Sequence, residues 1–204
     1  MIVIVDYQCG NLFSVQKALK RLNLLSISSN YPKDIELADK IILPGVGNFG
    51  SGMRNLAKNN LIDILSEKIL VKKTPVLGIC LGMQLLTNFS EEGNARGLGY
   101  IKADIQRFKF DKNIQLKTPH VGWNNINFSK DNLLFKGIDK SQQFYFVHSY
   151  HMVSSEQNNL FLSHTNYGYD FISSFVKENI YGVQFHPEKS HDQGLQLINN
   201  FCTI

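Results

Sequence analysis

The sequence has few cysteines, no long apolar run and no cluster of charge of one sign, and each of these scarcities excludes a class of protein. Its 204 residues include three cysteines, Cys9, Cys80 and Cys202, an odd number at wide spacing. That pattern favours neither a disulfide framework nor a zinc cluster. We therefore expect a reduced, cytoplasmic location and neither a metal nor another cofactor.

Runs of apolar or basic residues are too short to indicate a membrane or a nucleic acid as a partner. The first run, Ile2–Val5, ends at Asp6 and lacks the basic flank of a signal peptide. Lysine and arginine exceed aspartate and glutamate by 21 to 17, without a basic stripe. With 43% hydrophobic and 19% charged residues, the composition is that of a globular protein. We predict one domain spanning residues 1–204.

The first half alternates short β-branched runs with amphipathic segments. The predicted strands are 2–5, 24–28, 40–43 and 76–79. Apolar residues at helical spacing follow the first strand at Val15, Ala18, Leu19 and Leu22. They recur after a break near Asn59 and Asn60, at Leu61, Ile62, Leu65 and Ile69. The alternation predicts a mostly parallel sheet with helices on both faces. Sites in such sheets lie beyond the carboxyl ends of the strands, so the loops at 7–11, 44–47 and 80 should gather at one edge.

The second half changes to shorter strands separated by turn residues. The predicted strands are 100–110, 121–128, 143–148, 151–155, 160–165, 171–176 and 180–185. A final helix carries Leu195, Leu197, Ile198 and Phe201. No linker separates the two halves, so we interpret the later strands as an antiparallel extension of the same domain rather than as a second domain.

The stretch around Cys80 joins the central predicted strand directly to a helix. Gly78 and Gly82 lie two residues to either side of the cysteine, as in the Gly-x-Ser-x-Gly nucleophile elbow of serine hydrolases. The amino terminus of a helix offers free backbone N–H groups that favour a thiolate. Cys80 is therefore a candidate nucleophile, although a free cysteine is also a common residue of buried cores.

A base and an acid for this nucleophile follow the last predicted strand. His186 and Glu188 are two residues apart, so in an extended chain they point the same way, and Pro187 stiffens the segment. A nucleophilic thiol needs a base, and the base needs a group that fixes its orientation. In α/β-hydrolases the acid precedes the histidine, whereas here it follows. The order argues against an esterase or lipase and favours another lineage of thiol enzymes.

These motifs resemble those of the class I glutamine amidotransferases, whose triad is Cys-His-Glu. The resemblance rests on Gly-Ile-Cys-Leu-Gly-Met-Gln at 78–84 and Gln-Phe-His-Pro-Glu at 184–188. Further matching segments at 43–47, 97–99, 119–124 and 145–150 extend it over essentially the whole chain. It implies a three-layer, flavodoxin-like α/β/α fold and a triad of Cys80, His186 and Glu188 that hydrolyses glutamine to glutamate and ammonia. Within the family, the combined motifs are similar to glutaminase subunits that deliver ammonia to a (βα)8-barrel cyclase in histidine biosynthesis.

The resemblance also implies roles for further residues. The oxyanion would be held by the backbone N–H of Leu81 and by one from the loop of Val46 and Gly47. The residues that would grip glutamine are Gly47, Gln84, Glu92, Ser149 and Tyr150. The residues that would face the cyclase are Asn11, Trp123, Tyr145 and Lys189. Taken alone, Glu92 is equally consistent with a solvated loop acid, Ser149 and Tyr150 with ordinary strand ends, and Trp123 with the core.

Two positions depart from the family pattern. In a segment that usually reads Asp-Tyr-Gly-x-Gly-Asn, this chain has Gln8 and Cys9 before Gly10, so Gln8 replaces a glycine, and Val121 stands where methionine is common. They leave the triad intact but leave the identity of the partner open. One competing hypothesis is a paralogous subunit that supplies ammonia to a cyclase-like synthase modifying a nucleotide-linked sugar for surface polysaccharide. A catalytically silent binding protein is a second hypothesis, which the complete triad disfavours. A stress-response thiol hydrolase is a third, but it would not need the His-Pro-Glu ending.

Overall fold

The computed structural model describes residues 1–111, 113, 115–129, 131–154 and 160–204. Within them the strands are β1 Ile2–Val5, β2 Ser26–Ser29, β3 Lys40–Leu43, β4 Val76–Ile79, β5 Thr87–Ser90, β6 Ala95–Arg96, β7 Ile101–Arg107, β8 His120–Asn125, β9 Gln143–His148, β10 Tyr150–Val153, β11 Phe161–Asn166, β12 Asp170–Lys177 and β13 Ile180–Val183. The α-helices are α1 Leu12–Arg21, α2 Pro32–Glu36, α3 Phe49–Lys58, α4 Ile62–Ser66, α5 Leu81–Leu85 and α6 His191–Thr203. A π-helical turn, Glu67–Val71, continues α4, and 3-10 turns occupy Leu133–Phe135 and Pro187–Lys189.

One large sheet runs through both halves of the chain. Its strand order is β2-β1-β3-β4-β13-β12-β10-β7-β5-β6, with β11 attached to β12. Strands β2, β1, β3, β4 and β13 are parallel to one another. From β12 onward the pairs are antiparallel, apart from the parallel pair β5 and β7. This mixed sheet confirms the predicted α/β fold with an antiparallel extension.

Strand β1 illustrates why the centre of the sheet reads as an unbroken apolar run. All four of its residues are buried. Successive side chains point to opposite faces, so Val3 and Val5 enter one core cluster while Ile2 and Ile4 enter the other. Residues of α3 join the first cluster and residues of α6 join the second. The strand is therefore covered on both faces, as a central parallel strand must be.

The predicted strand bounds agree with the structure for three central strands and for β9, and they differ at the edge of the sheet. Strands β1, β3, β4 and β9 have the predicted bounds. The predicted strand 24–28 is displaced, because the edge strand β2 is Ser26–Ser29 and Leu25 is 89% exposed. An edge strand buries fewer side chains, so its apolar pattern is weak. Three elements, α2, β5 and β6, have no counterpart in the prediction, since each is too short for its periodicity to be read.

The second half differs most from its prediction in strands β8 and β9. They form a separate two-stranded antiparallel sheet, in register from His120 opposite His148 to Asn125 opposite Gln143. The sequence does not predict this separate sheet, because a period of two indicates a strand but not its neighbour. The predicted strand 151–155 corresponds to β10, and Ser155 lies outside the described residues. The ends of the other strands differ from their predicted positions by a few residues. None of the described helices is both long and apolar enough to cross a bilayer.

The loops that follow β1, β3 and β4 meet at one edge of the sheet. The Tyr7 hydroxyl donates a hydrogen bond to the Pro44 carbonyl at 2.6 Å. The backbone N–H of Leu81 donates to the Gly45 carbonyl at 3.4 Å. The predicted meeting of these loops is therefore present, and it surrounds Cys80.

Candidate active site

Cys80 lies at the sharp turn between β4 and α5. Its backbone has φ 51° and ψ −107°, a conformation that a residue with a side chain rarely adopts. Its N–H donates to the Val183 carbonyl at 2.8 Å, which ties the turn to β13. The residue is 6% exposed. This strained strand-to-helix turn is the backbone geometry of a nucleophile elbow.

Gly78 and Gly82 allow the strand and the helix to approach closely at this turn. A Cβ on Gly78 would lie 2.7 Å from the Met83 nitrogen, and one on Gly82 would overlap the Leu43 carbonyl oxygen. Close backbone contact therefore requires glycine at both positions. Helix α5 is only five residues long, so its dipole contributes less at Cys80 than the sequence pattern indicates.

His186 and Glu188 lie side by side beyond the end of β13. His186 Nδ1 and Glu188 Oε1 are 2.8 Å apart, and the two side chains are 1% and 3% exposed. The backbone N–H of His186 donates to the Tyr145 carbonyl at 2.8 Å, which ties this segment to β9. A 3-10 turn, rather than a continuing strand, brings the two side chains together. The extended-chain argument is wrong in that detail, although the pairing it predicts is present.

The second ring nitrogen of His186 is available for a proton transfer. This Nε2 atom is buried and has no hydrogen-bond partner among the described residues. Burial alone lowers the pKa of the imidazole, but a negative charge on Cys80 and the hydrogen bond with Glu188 raise it to about 10. Because Glu188 holds Nδ1, the ring can take a thiol proton at Nε2.

Two buried glutamines lie beside the sulfur. Gln84 Nε2 donates to Gln184 Oε1 at 2.9 Å and to the Tyr150 carbonyl at 3.1 Å. Gln184 Nε2 lies 3.6 Å from Cys80 Sγ. The sequence reasoning assigns no role to Gln184 and so misses it. The sequence does contain a signal for it. Gln184 precedes His186 by two residues, so in an extended chain the two side chains point to the same side.

The loop 44–47 covers the backbone N–H of Leu81, which the resemblance implies would bind the oxyanion. The Leu81 N–H is directed at the Gly45 carbonyl rather than at the cavity. Gly45 is enclosed, because a Cβ there would lie 2.7 Å from the Leu81 Cβ and would overlap the Tyr7 hydroxyl. Val46 is exposed, and Gly47 has φ 118°. The predicted oxyanion residues thus lie together, but in this conformation Leu81 already has an acceptor.

A cavity of about 340 Å³ opens at Cys80. That volume lies in the range of small-ligand sites. Its lining includes all the residues predicted to grip glutamine, namely Gly47, Gln84, Glu92, Ser149 and Tyr150. Glu92 Oε2 accepts a hydrogen bond from the Phe49 N–H at 2.7 Å, at the start of α3. Glu92 is therefore held in place at the cavity wall rather than being a freely solvated loop acid.

Three of the four residues predicted to face a partner form one surface cluster. The Trp123 and Tyr145 rings are 5.8 Å apart, and Lys189 Nζ lies 5.8 Å over the Tyr145 ring. His191 stacks on Trp123 with 4.7 Å between ring centroids and 3° between planes. Trp123 is 41% exposed, so it is not a core residue. The fourth residue, Asn11, caps α1 with its side chain.

The two departures from the family pattern, and the neighbouring Cys9, lie in different surroundings. Gln8 has φ 60°, in the left-handed region where glycine is favoured, which accounts for the glycine in the usual pattern. Cys9 Sγ accepts a hydrogen bond from Asn55 Nδ2 at 3.4 Å, and burial raises the pKa of this thiol. Val121 is exposed on the same strand as Trp123.

Two buried histidines support the wall of the cavity. His148 Nδ1 lies 2.8 Å from the Tyr150 carbonyl, which can only accept, so this nitrogen carries the proton. His148 Nε2 then accepts from His120 Nδ1 at 3.0 Å. Burial lowers the pKa of His148 to about 3 and that of His120 to about 4, so both rings are neutral at physiological pH. Within the described part of the chain, no group of three or more His, Cys, Asp or Glu side chains is arranged to hold a metal ion.

Comparison with known proteins places this chain in a family. Residues 3–204 match the model of the family described as glutamine amidotransferase class-I, and the chain belongs to this family. Proteins named imidazole glycerol phosphate synthase subunit HisH 2 are similar over nearly their whole lengths. The one from Methanococcus maripaludis is 48% identical over 98% of each chain, and the one from Pseudomonas aeruginosa is 45% identical over 100% of each.

Solved structures share the fold. A structure described as a glutamine amidotransferase has a TM-score of 0.74 and 17% identity, covering 99% of this chain and 100% of its own. A glutamine amidotransferase from Thermotoga maritima has a TM-score of 0.66 and 17% identity, covering 99% of this chain and 82% of its own. Both likenesses extend over 99% of this chain and support the class I amidotransferase fold.

Proposed function

We propose that the chain is the glutaminase subunit of an imidazole glycerol phosphate synthase and supplies ammonia for histidine biosynthesis. The observation that carries the proposal is the strained turn that holds Cys80 in the cavity, together with the buried pair of His186 and Glu188, in which burial lowers the pKa of His186 but a negative charge on Cys80 raises it. The names of the full-length relatives support the pathway. Cys80 and His186 follow adjacent strands of one continuous sheet, which supports residues 1–204 working as one amidotransferase domain.

In the proposed reaction the Cys80 sulfur attacks the side-chain carboxamide carbon of glutamine. His186 takes the thiol proton at Nε2, while Glu188 holds Nδ1. Collapse of the tetrahedral intermediate breaks the carbon–nitrogen bond, forms a glutamyl thioester and delivers that proton to the departing ammonia. A water molecule, deprotonated by His186, then attacks the thioester. Glutamate leaves, and the proton returns to the Cys80 sulfur.

The oxyanion of this reaction requires a different orientation of the loop 44–47. Turning the peptide between Gly45 and Val46 would withdraw the Gly45 carbonyl from the Leu81 N–H and direct the Val46 N–H, with the neighbouring Gly47, toward the site. A preorganised oxyanion donor is worth about 3–4 kcal/mol of transition-state stabilisation. We therefore expect the isolated chain to be a weak glutaminase that becomes active when a partner stabilises the turned loop.

The proposed partner is a (βα)8-barrel cyclase, which would receive the ammonia. The cluster of Trp123, Tyr145 and Lys189 supports this docking surface, because tryptophan and tyrosine are typical interface anchors and the Lys189 ammonium lies over the Tyr145 ring. Asn11 would lie at its margin. The sugar-modifying paralogue is not favoured, since the compared relatives are named as imidazole glycerol phosphate synthase subunits. A cytoplasmic location belongs to the same proposal and is supported by three free thiols.

Glutamate release from glutamine tests the proposal, measured with and without a barrel cyclase and its nucleotide ligand. Cys80→Ala should abolish release while leaving the circular dichroism spectrum and complex formation unchanged. Cys202→Ala removes a half-buried thiol of α6 and should retain the wild-type rate. Normal release by the Cys80→Ala variant would reject the mechanism. No release by the wild-type complex would instead favour a catalytically silent binding protein.

A further inference from the structure

We propose that Gln184 is a further catalytic residue, whose side-chain amide donates a hydrogen bond to the Cys80 sulfur and favours its thiolate form. The inference rests on the proposed nucleophilic role of Cys80. Gln184 Nε2 lies 3.6 Å from Sγ, and the Gln184 side chain is fully buried. A buried amide nitrogen needs an acceptor, and the Cys80 sulfur lies within reach to serve as one.

The orientation of the Gln184 amide follows from its neighbours. The Tyr150 carbonyl can only accept, so the Gln84 side-chain atom at 3.1 Å from it is the nitrogen. The same nitrogen lies 2.9 Å from the Gln184 amide, so the Gln184 atom that faces it is the oxygen. The Gln184 nitrogen is therefore the atom that faces Cys80. This chain of hydrogen bonds excludes the reversed amide, which the positions of the heavy atoms alone would not.

Apart from the protonated ring of His186, the other groups around the sulfur give a thiolate little support. Helix α5 is short, and the Leu81 N–H is directed at the Gly45 carbonyl. The Val147 carbonyl, 4.0 Å from Sγ, can accept from a thiol but cannot stabilise a thiolate. A hydrogen bond to a charged acceptor is stronger than one between neutral groups. Gln184 therefore complements His186, which receives the proton that the sulfur loses.

Gln84 acts through Gln184. The Gln84 nitrogen is engaged by the Tyr150 carbonyl and by Gln184, so it is not free to bind a ligand. Its Oε1 remains for a contact with glutamine in the cavity that Gln84 lines. We therefore assign Gln84 as a positioning residue for Gln184, in addition to its predicted contact with the substrate.

The test is the pH dependence of Cys80 alkylation by iodoacetamide in the purified full chain, read peptide by peptide by mass spectrometry. Gln184→Met keeps the length of the side chain and removes the donor. In Gln184→Met the pH at which the alkylation rate is half-maximal should rise by about one pH unit. This is the effect expected for the loss of one hydrogen bond to a charged group. Gln84→Met should raise it by less, because Gln184 remains but loses its orienting contact.

Ser173→Ala is the matched control. Ser173 Oγ makes a buried hydrogen bond with the Ser163 carbonyl at 3.3 Å, on the strand beside β13. This variant loses a buried hydrogen bond of the same sheet and should keep the wild-type pH midpoint. An equal rise in Ser173→Ala and Gln184→Met would show general loosening and would overturn the proposal.

A folded Gln184→Met protein with the wild-type pH midpoint would also overturn the proposal. If that variant does not fold, Gln84→Met decides, and an unchanged midpoint in it is equally contradictory. The alkylation assay contains no glutamine. A failure of the proposed glutaminase reaction is therefore distinguishable from a failure of the Gln184 assignment.

Discussion

Removing the charge of Cys80 should change the ionisation of His186. In the wild-type chain burial lowers the pKa of His186, but a negative charge on Cys80 and the contact with Glu188 raise it to about 10. Cys80→Ala removes that charge and keeps the burial and Glu188, so the pKa must fall. Two opposite unit charges at a typical contact distance of about 4 Å attract by about 4 kcal/mol at an effective dielectric constant of about 20. Loss of an attraction of this size lowers a pKa by about three, and we expect a fall of that order for His186.

Histidine NMR measures this change directly. The chain has six histidines, so His186→Gln identifies the signal. In the wild-type chain the NMR chemical shift of His186 Cε1 should stay at the value of a protonated ring through neutral pH. In Cys80→Ala the same chemical shift should titrate near neutrality. Cys202→Ala, which removes a remote thiol, should match the wild-type curve. A wild-type His186 that titrates at its ordinary pKa, or identical curves in wild type and Cys80→Ala, would refute the thiolate–imidazolium pair.

The remaining predictions concern packing and acid stability. Gly82→Ala should prevent folding or activity because its Cβ would overlap a backbone carbonyl, and a soluble, active variant would contradict the packing of the turn. Tyr7→Phe leaves the Pro44 carbonyl without its buried donor, so the free energy of unfolding measured in urea should fall by about 1–3 kcal/mol. His120 and His148 stay neutral in the fold to about pH 4 and about 3, but the unfolded chain binds their protons below about pH 6.5. Stability in urea should therefore drop by a few kcal/mol from pH 7 to about 4.5, and a flat profile would contradict this origin.

The sequence predicts the centre of the fold well because the central strands are buried on both faces. In β1 and β4 every residue is apolar or glycine and buried, so composition alone marks their bounds. The edge strand β2 has one free side, and Leu25 stands outside it in solvent. Strands β8 and β9 show the alternation of a strand, but alternation carries no information about which strand lies beside them.

In the site, too, the sequence predicts the features that depend on local spacing and not those that depend on tertiary packing. Cys80 is recognisable by its short spacing from Gly78 and Gly82, and His186 by its short spacing from Glu188. The link between Gln84 and Gln184 joins residues that are 100 positions apart, so only the packed sheet reveals which amide atom faces the sulfur. The contact between Leu81 and Gly45 is likewise a property of loop conformation, which the glycines of that loop permit but do not specify.

The central claim is that Cys80 is the nucleophile that attacks glutamine. A diazoketone analogue of glutamine, which alkylates a nucleophile at the position of the side-chain carbonyl, tests it most directly when applied to the chain with its cyclase partner. Peptide mass spectrometry should find the label on Cys80, in proportion to the loss of glutamate release, and none on Cys9 or Cys202. Complete inactivation with Cys80 unlabelled, or full labelling of Cys80 with undiminished glutamate release, would contradict the account.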